Sequence, residues 1–265
     1  MRRTATTLTS GLLAVTLLAA CGAGGSKSSG TPTPAPTTVP TATTPTSTTP
    51  SASPSAYHPM INPADFTATV DHPYFPLRPG ATKLYDGTRD GKPHHAEVNI
   101  LTRKRKVMGV DCVVVYDTVT SNGALVEKTE DWYAQDKGGN VWYFGENTAE
   151  YKNGAVSSTH GTWEAGVDGA QPGIILHAAP KVGQAYYQEY RPGQAEDRAK
   201  VLTLDSMFKV PAGSFHRVIT TEDSDPLNPD KTDKKWYAPG VGLIHSVRIR
   251  SGHHEETSLV RVAKP

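Results

Sequence analysis

From Tyr57 onward, apolar and polar residues alternate in short runs, and no segment sustains a 3.6-residue apolar period. The runs are Ala96–Leu101, Asp111–Thr120, Leu125–Ala134, Val141–Phe144, Gln184–Tyr190, Ala199–Leu204, His216–Thr221, Lys235–Ala238, Leu243–Arg250 and Thr257–Val262. Between them stand Asp90-Gly91, Asn122-Gly123, Gly138-Gly139-Asn140, Asn153-Gly154, Asp168-Gly169 and Ser251-Gly252. Asn-Gly and Asp-Gly suit tight hairpin turns, because those turns need positive φ. Strands joined by short turns pair antiparallel, and ten or more of them in one sheet must curl, split or close. The pattern predicts an all-β fold, a large curved antiparallel sheet or an open or half barrel. One short helical turn is expected at Asn62-Pro63-Ala64-Asp65, with Pro at the first helical position.

The first 56 residues are patterned differently. Behind Arg2-Arg3, Gly11–Leu18 forms an apolar stretch well short of the ~20 residues a spanning helix needs. Residues 1–20 read as an export signal. Residues 22–56 contain seven Pro, ten Thr and seven Ser and no aromatic side chain. Such a segment cannot bury enough surface to offset its ordering entropy, so a disordered stalk is predicted. Its Pro content favours extended backbone at ~3.1 Å per residue, a reach of about 100 Å at full stretch. All aromatics and all 10 histidines lie at or beyond Tyr57, which assigns residues 57–265 to a single β-rich domain.

Leu18-Ala19-Ala20-Cys21 resembles the lipobox of bacterial lipoproteins. The resemblance implies cleavage before Cys21, a diacylglyceryl thioether on its thiol, and acylation (palmitate or similar) of the freed amine. Two or more acyl chains hold firmly where one holds only marginally. The implied location is the cell membrane, lipid-anchored on the extracytoplasmic side. With Cys21 committed to lipid, Cys112 has no intramolecular partner and no disulfide is expected. The apolar run Val110–Tyr116 around it predicts a buried structural thiol. Residues 57–265 carry 24 basic and 26 acidic groups, without a polybasic footprint. That excludes nucleic acid as a partner and disfavours electrostatic docking on an anionic membrane. A monomer is expected.

Lys128–Ala134 ends in Trp-Tyr-Ala before a glycine turn and Val141, and Lys234–Ala238 does the same before Leu243, 104 residues later. The echo is compatible with two related halves. Asp131–Asp136 with Gly139–Glu146, Trp163–Ala170 and Tyr237–Gly242 together resemble a pattern of uncharacterised bacterial secreted proteins, across roughly residues 70–262. That family implies no activity. The Tyr237–Gly242 turn also resembles the half-barrel sheets of lipoprotein carriers, which would imply a hydrophobic concave face.

The strongest candidate site is the hairpin Asp131–Glu146, with Trp132, Tyr133, Trp142 and Tyr143 beside Glu146. Aromatic faces next to a carboxylate suit a sugar or a polar ring. Trp163, Glu164 and Asp168 lie in a glycine-rich loop, where two carboxylates could form a general acid/base pair if they met across a cleft ~5–9 Å wide. Against these stands the plainer expectation of core aromatics and solvated turn acids. His94-His95 and His253-His254 are adjacent pairs, whose side chains leave opposite faces of a strand and so cannot chelate. No catalytic residue, metal or cofactor is expected from any motif present.

The leading reading is a lipid-anchored envelope protein that binds a small amphipathic or glycan ligand without catalysis. An envelope-directed hydrolase using Glu164, Asp168 or Glu146 is the first alternative. A structural surface protein without a pocket is the second.

Overall fold

The computed structural model describes residues 57–250 and 252–263. The export signal, Cys21 and the stalk lie outside the described residues. Sixteen strands follow in chain order: β1 (Phe66–Thr67), β2 (Thr82–Arg89), β3 (Lys92–Val107), β4 (Val110–Ser121), β5 (Ala124–Asp136), β6 (Val141–Lys152), β7 (Ala155–Ser158) and β8 (Trp163–Glu164). Then come β9 (Gln171–Leu176), β10 (Ala185–Tyr187), β11 (Glu189–Tyr190), β12 (Arg198–Val210), β13 (Gly213–Ser224), β14 (Thr232–Ala238), β15 (Gly242–Arg250) and β16 (His253–Ala263). Among the described residues the one helical turn is 3-10, Pro63–Asp65, and Asn62 caps it by accepting from the Ala64 amide at 3.2 Å.

Thirteen strands form one antiparallel path, β10-β12-β13-β14-β15-β16-β2-β3-β4-β5-β6-β9-β11, nearly closed into a barrel. Its two terminal strands are consecutive in the chain, separated only by Gln188, so the backbone itself bridges the seam. Across that seam the Tyr186 hydroxyl donates to the Ile175 carbonyl at 3.1 Å. Turn chemistry explains the meander. Asp90-Gly91, Asn122-Gly123, Asn153-Gly154 and Asp168-Gly169 all have φ between 49° and 79°, as a two-residue hairpin turn with positive φ requires. Met108-Gly109 adopts the same conformation, at 48° and 80°, without an Asn or Asp to announce it.

Several strands differ from the sequence pattern: β6 and β12 run on to Lys152 and Val210, and β1, β7, β8 and β9 lie where no run stood out. β2 is a full strand where no run stood out. β3 extends past Leu101 through Arg103-Lys104-Arg105-Lys106, because outward positions of a strand tolerate charge. The run Gln184–Tyr190 is split by Gln188 into the two strands that meet at the seam.

The barrel interior has two characters. At one end Tyr85, Val98, Val115, Tyr133 and Leu243 enclose an apolar core. The segment before β2 folds into this end: Val70 bridges Leu77, and Phe75 inserts its ring 5.2 Å from Tyr133 and 6.4 Å from Tyr237. Farther along, the wall becomes charged. Asp223, Asp233, Arg248, Glu255 and Arg89 are successive register partners across β13, β14, β15, β16 and β2. Among the described residues eleven Asp and Glu are buried, against four Lys and Arg: Lys83, Arg89, Lys231 and Lys235. The concave face is therefore not the hydrophobic one that a carrier-like half barrel would present. Cys112 is fully buried in β4, its Sγ 3.7 Å from the Val110 carbonyl, and burial pushes its thiol up to about 12. It is an inert packing group.

Candidate functional site

The aromatic hairpin is β5 paired with β6, and its register contains a bulge. Tyr133 faces Tyr143 and Asp131 faces Glu146, so β6 uses one residue more than β5 between these pairs. The extra residue is accommodated at Gly145, with φ +132°. A Cβ there would run into the Trp163 carbonyl and the Trp132 ring. The consequence is that Tyr143 and Glu146, three apart in sequence, both point inward. Tyr133 stacks on Tyr143 at 4.9 Å, and Trp163 of β8 meets Tyr143 edge-on at 5.3 Å.

The Tyr143 hydroxyl lies 2.6 Å from Asp131 Oδ1 and 3.1 Å from Glu146 Oε2. A phenol has one proton, so it can donate to one carboxyl only, and the other carboxyl must donate to it. Burial pushes Asp131 up to about 7, against the lowering effects of the Tyr143 hydrogen bond and of Lys235. Burial, Asp131 and Glu189 push Glu146 well above the usual carboxylate range. Glu146 is thus the neutral acid that donates to Tyr143, and Tyr143 donates to Asp131. The shorter bond to Asp131 fits a charge-assisted acceptor. Asp117, Glu127 and Glu189 are raised in the same way, chiefly by desolvation. Glu255 behaves oppositely. Despite its own desolvation, His94, Arg89 and Arg248 hold it down at about 2.

The eight residues singled out in the sequence are not brought to one surface. Tyr133, Tyr143, Glu146 and Trp163 share the inner face and are buried. Trp132 faces outward yet is covered, with the Arg105 guanidinium 3.9 Å above its ring, and Arg105 is tied to Glu164 at 2.6 Å. Trp142 is half-buried, its indole N–H donating to Asp136 at 2.8 Å and its ring edge on Phe66. Asp168 sits on an exposed turn, paired with Arg191 at 3.0 Å. Glu164 and Asp168 therefore have separate charge partners, Arg105 and Arg191. The bulge explains why Glu146 joins Tyr143 on the inner face. Simple alternation places every second side chain of β6 inward, and Gly145 resets that count.

The adjacent histidines separate as strand geometry demands. His94 is fully buried, 3.3 Å from Glu255, while His95 is outside and paired with Asp86 at 2.7 Å. His253 contacts Asp90 at 2.9 Å. Among the described residues no three His, Cys, Asp or Glu side chains are grouped as metal ligands.

Beside Trp163 a cleft of about 170 Å³ opens at the rim, between residues 159–163 and residues 191–195. Trp163 is nearly buried and belongs to its wall, with Thr159, His160, Arg191, Gln194 and Ala195 around it. Both flanking segments are held by local bonds. The Thr162 hydroxyl accepts from the Thr148 amide at 3.1 Å and donates to its carbonyl at 3.2 Å. Arg191 and Ala195 exchange backbone hydrogen bonds of 2.5 and 2.8 Å, and Gln194 donates to the Arg191 carbonyl at 2.9 Å. Apart from Trp163, none of these lining residues carried a sequence signal, because the two loops are about thirty residues apart and meet only through β9 and β11.

No family model matches the sequence, and no curated protein matches it. Two solved structures align with this chain at low identity. A "putative exported protein" of YmcC-like fold from Bacteroides fragilis shares 15% identity, with a TM-score of 0.44, covering 72% of this chain and 99% of that one. A "putative lipoprotein" from Parabacteroides distasonis shares 12% identity, with a TM-score of 0.39, covering 72% and 98%.

Proposed function

We propose that this chain is a lipid-anchored envelope protein whose barrel is a non-enzymatic binding module, taking a small glycan-type ligand in the rim cleft beside Trp163. The observation that carries this reading is the cleft itself, lined by an indole, an imidazole, a guanidinium and hydroxyl and amide side chains and held by hydrogen-bonded loops. Binding is favoured over hydrolysis because the carboxyl pair bridged by Tyr143, Asp131 and Glu146, has no solvent-exposed surface. A general acid must reach its substrate within hydrogen-bond distance. An amphipathic ligand inside the barrel finds no support, since the apolar end is packed around the Phe75 ring and the remainder is lined by buried charged side chains. The anchor rests on the lipobox-like Leu18–Cys21 and the stalk.

Thermal-shift and tryptophan-fluorescence titration of the full chain in detergent, against a panel of monosaccharides and disaccharides, tests the binding reading. At least one sugar is expected to raise the melting temperature. Thr159→Trp, a substitution at an exposed position that fills the cleft, is expected to abolish that response. A sugar response that survives Thr159→Trp places the ligand elsewhere, and no response to any sugar rejects a glycan-binding cleft.

A further inference from the structure

We infer that the cleft beside Trp163 is an oxyanion site, built for a small hydroxylated carboxylate of the sugar-acid class. This rests on reading the cleft as the binding site and names what it takes. The lining contains one guanidinium and one imidazole and no carboxylate. Arg191 has two features that suit an incoming carboxylate. Its Nη2 is paired only with Asp168, whose side chain is 71% exposed, and such a surface pair is weak enough for a ligand to replace. Its Nε is buried without a hydrogen-bond partner among the described residues. A ligand carboxylate that displaces Asp168 takes over its charge-assisted hydrogen bond from the guanidinium.

The wall adds a second orphan donor. Trp163 Nε1 is buried and likewise has no partner among the described residues, and indole nitrogen can only donate. Thr159, His160 and Gln194 supply the mixed donors and acceptors that ring hydroxyls use. Behind Trp163, Glu146 and Glu189 are kept neutral by burial, so they do not repel an anion at neutral pH. A volume of about 170 Å³ lies below the ~300–1,000 Å³ of drug-sized pockets, which limits the ligand to one sugar-sized unit.

Isothermal titration calorimetry of the full chain with D-glucuronate, D-glucose, acetate and inorganic phosphate tests the assignment. Glucuronate is expected to bind at least 10-fold more tightly than glucose or acetate. Arg191→Gln should weaken it at least 10-fold, with circular dichroism reporting the fold. Asp168→Asn, which removes the competing carboxylate, should tighten it several-fold, a gain that misfolding cannot produce. If glucose binds as well as glucuronate and Arg191→Gln changes neither, the cleft is a neutral-glycan site and the oxyanion assignment falls alone. Phosphate binding as tightly as glucuronate overturns the sugar-acid class. Silence with all four probes, alongside a sugar response in the panel that Thr159→Trp removes, also overturns it while leaving the binding reading intact.

Discussion

Tyr143 is the residue whose chemistry is most constrained by its surroundings. Its single proton lies between two buried carboxyls, so the protonation of Asp131 and Glu146 is set jointly with its own hydrogen bonding. Tyr143→Phe removes the donor to Asp131 and the acceptor of Glu146 together. At pH 5, where Asp131 is neutral, the expected loss is about 1 kcal/mol, typical of a neutral hydrogen bond. At pH 8, above its value of about 7, Asp131 is ionised and the lost bond is charge-assisted, so the expected loss rises to about 1.5–3 kcal/mol. Urea unfolding at the two pH values measures the difference. Equal losses would mean that Tyr143 does not donate to Asp131.

Among elements, the β5–β6 hairpin decides where the aromatics point. Its bulge depends on Gly145, which combines a φ of +132° with close approach of the Trp163 backbone. Gly145→Ala should cost at least about 2 kcal/mol from backbone strain and displace β8 from β6. Guanidinium unfolding reads the cost, and increased iodide quenching of Trp163 reads the displacement. A stable variant with unchanged quenching would show that the bulge does not need glycine. On the outer face of the hairpin, Trp132 is core despite its orientation, because Arg105 and Glu164 close over it. Trp132→Ala is expected to cost ~3–5 kcal/mol in the same assay, and a loss below 1 kcal/mol would mean that the ring is not packed.

For the whole molecule, the buried acid excess makes stability depend on pH in an uncommon direction. Carboxyls held above their unfolded values of ~3.9–4.3 bind more protons in the folded state, so their contribution is full at low pH and is lost as pH rises. Asp131 and Asp197, both pushed to about 7 chiefly by burial, place that loss between about pH 4 and 7. Glu255, held at about 2, contributes in the opposite sense, and its share disappears only below about pH 4. The melting temperature should therefore be highest near pH 4.5–5 and fall toward pH 7.5, and a scanning-calorimetry series with a maximum at neutral pH would contradict this. At the same scale, Cys21→Ser is expected to abolish partitioning into the detergent phase, and retention there would reveal another anchor. The strand alternation and the Asn-Gly and Asp-Gly turns were enough to specify an all-β meander, because hairpin register and turn conformation are local properties that a few neighbouring residues dictate. His94-His95 diverged and Cys112 was buried for the same reason, strand periodicity and apolar neighbours being visible in the chain. The Gly145 bulge, the turn at Met108-Gly109, the joining of β10 to β11 and the cleft between residues 159–163 and 191–195 depended on contacts across the sheet. The charged interior belongs with them. Glu127, Asp223 and Asp233 carry no distinguishing signal in the chain, and Asp131 and Glu146 read there as the acidic frame of an aromatic surface; only closure of the barrel, which settles which side of every strand is inside, buries them together.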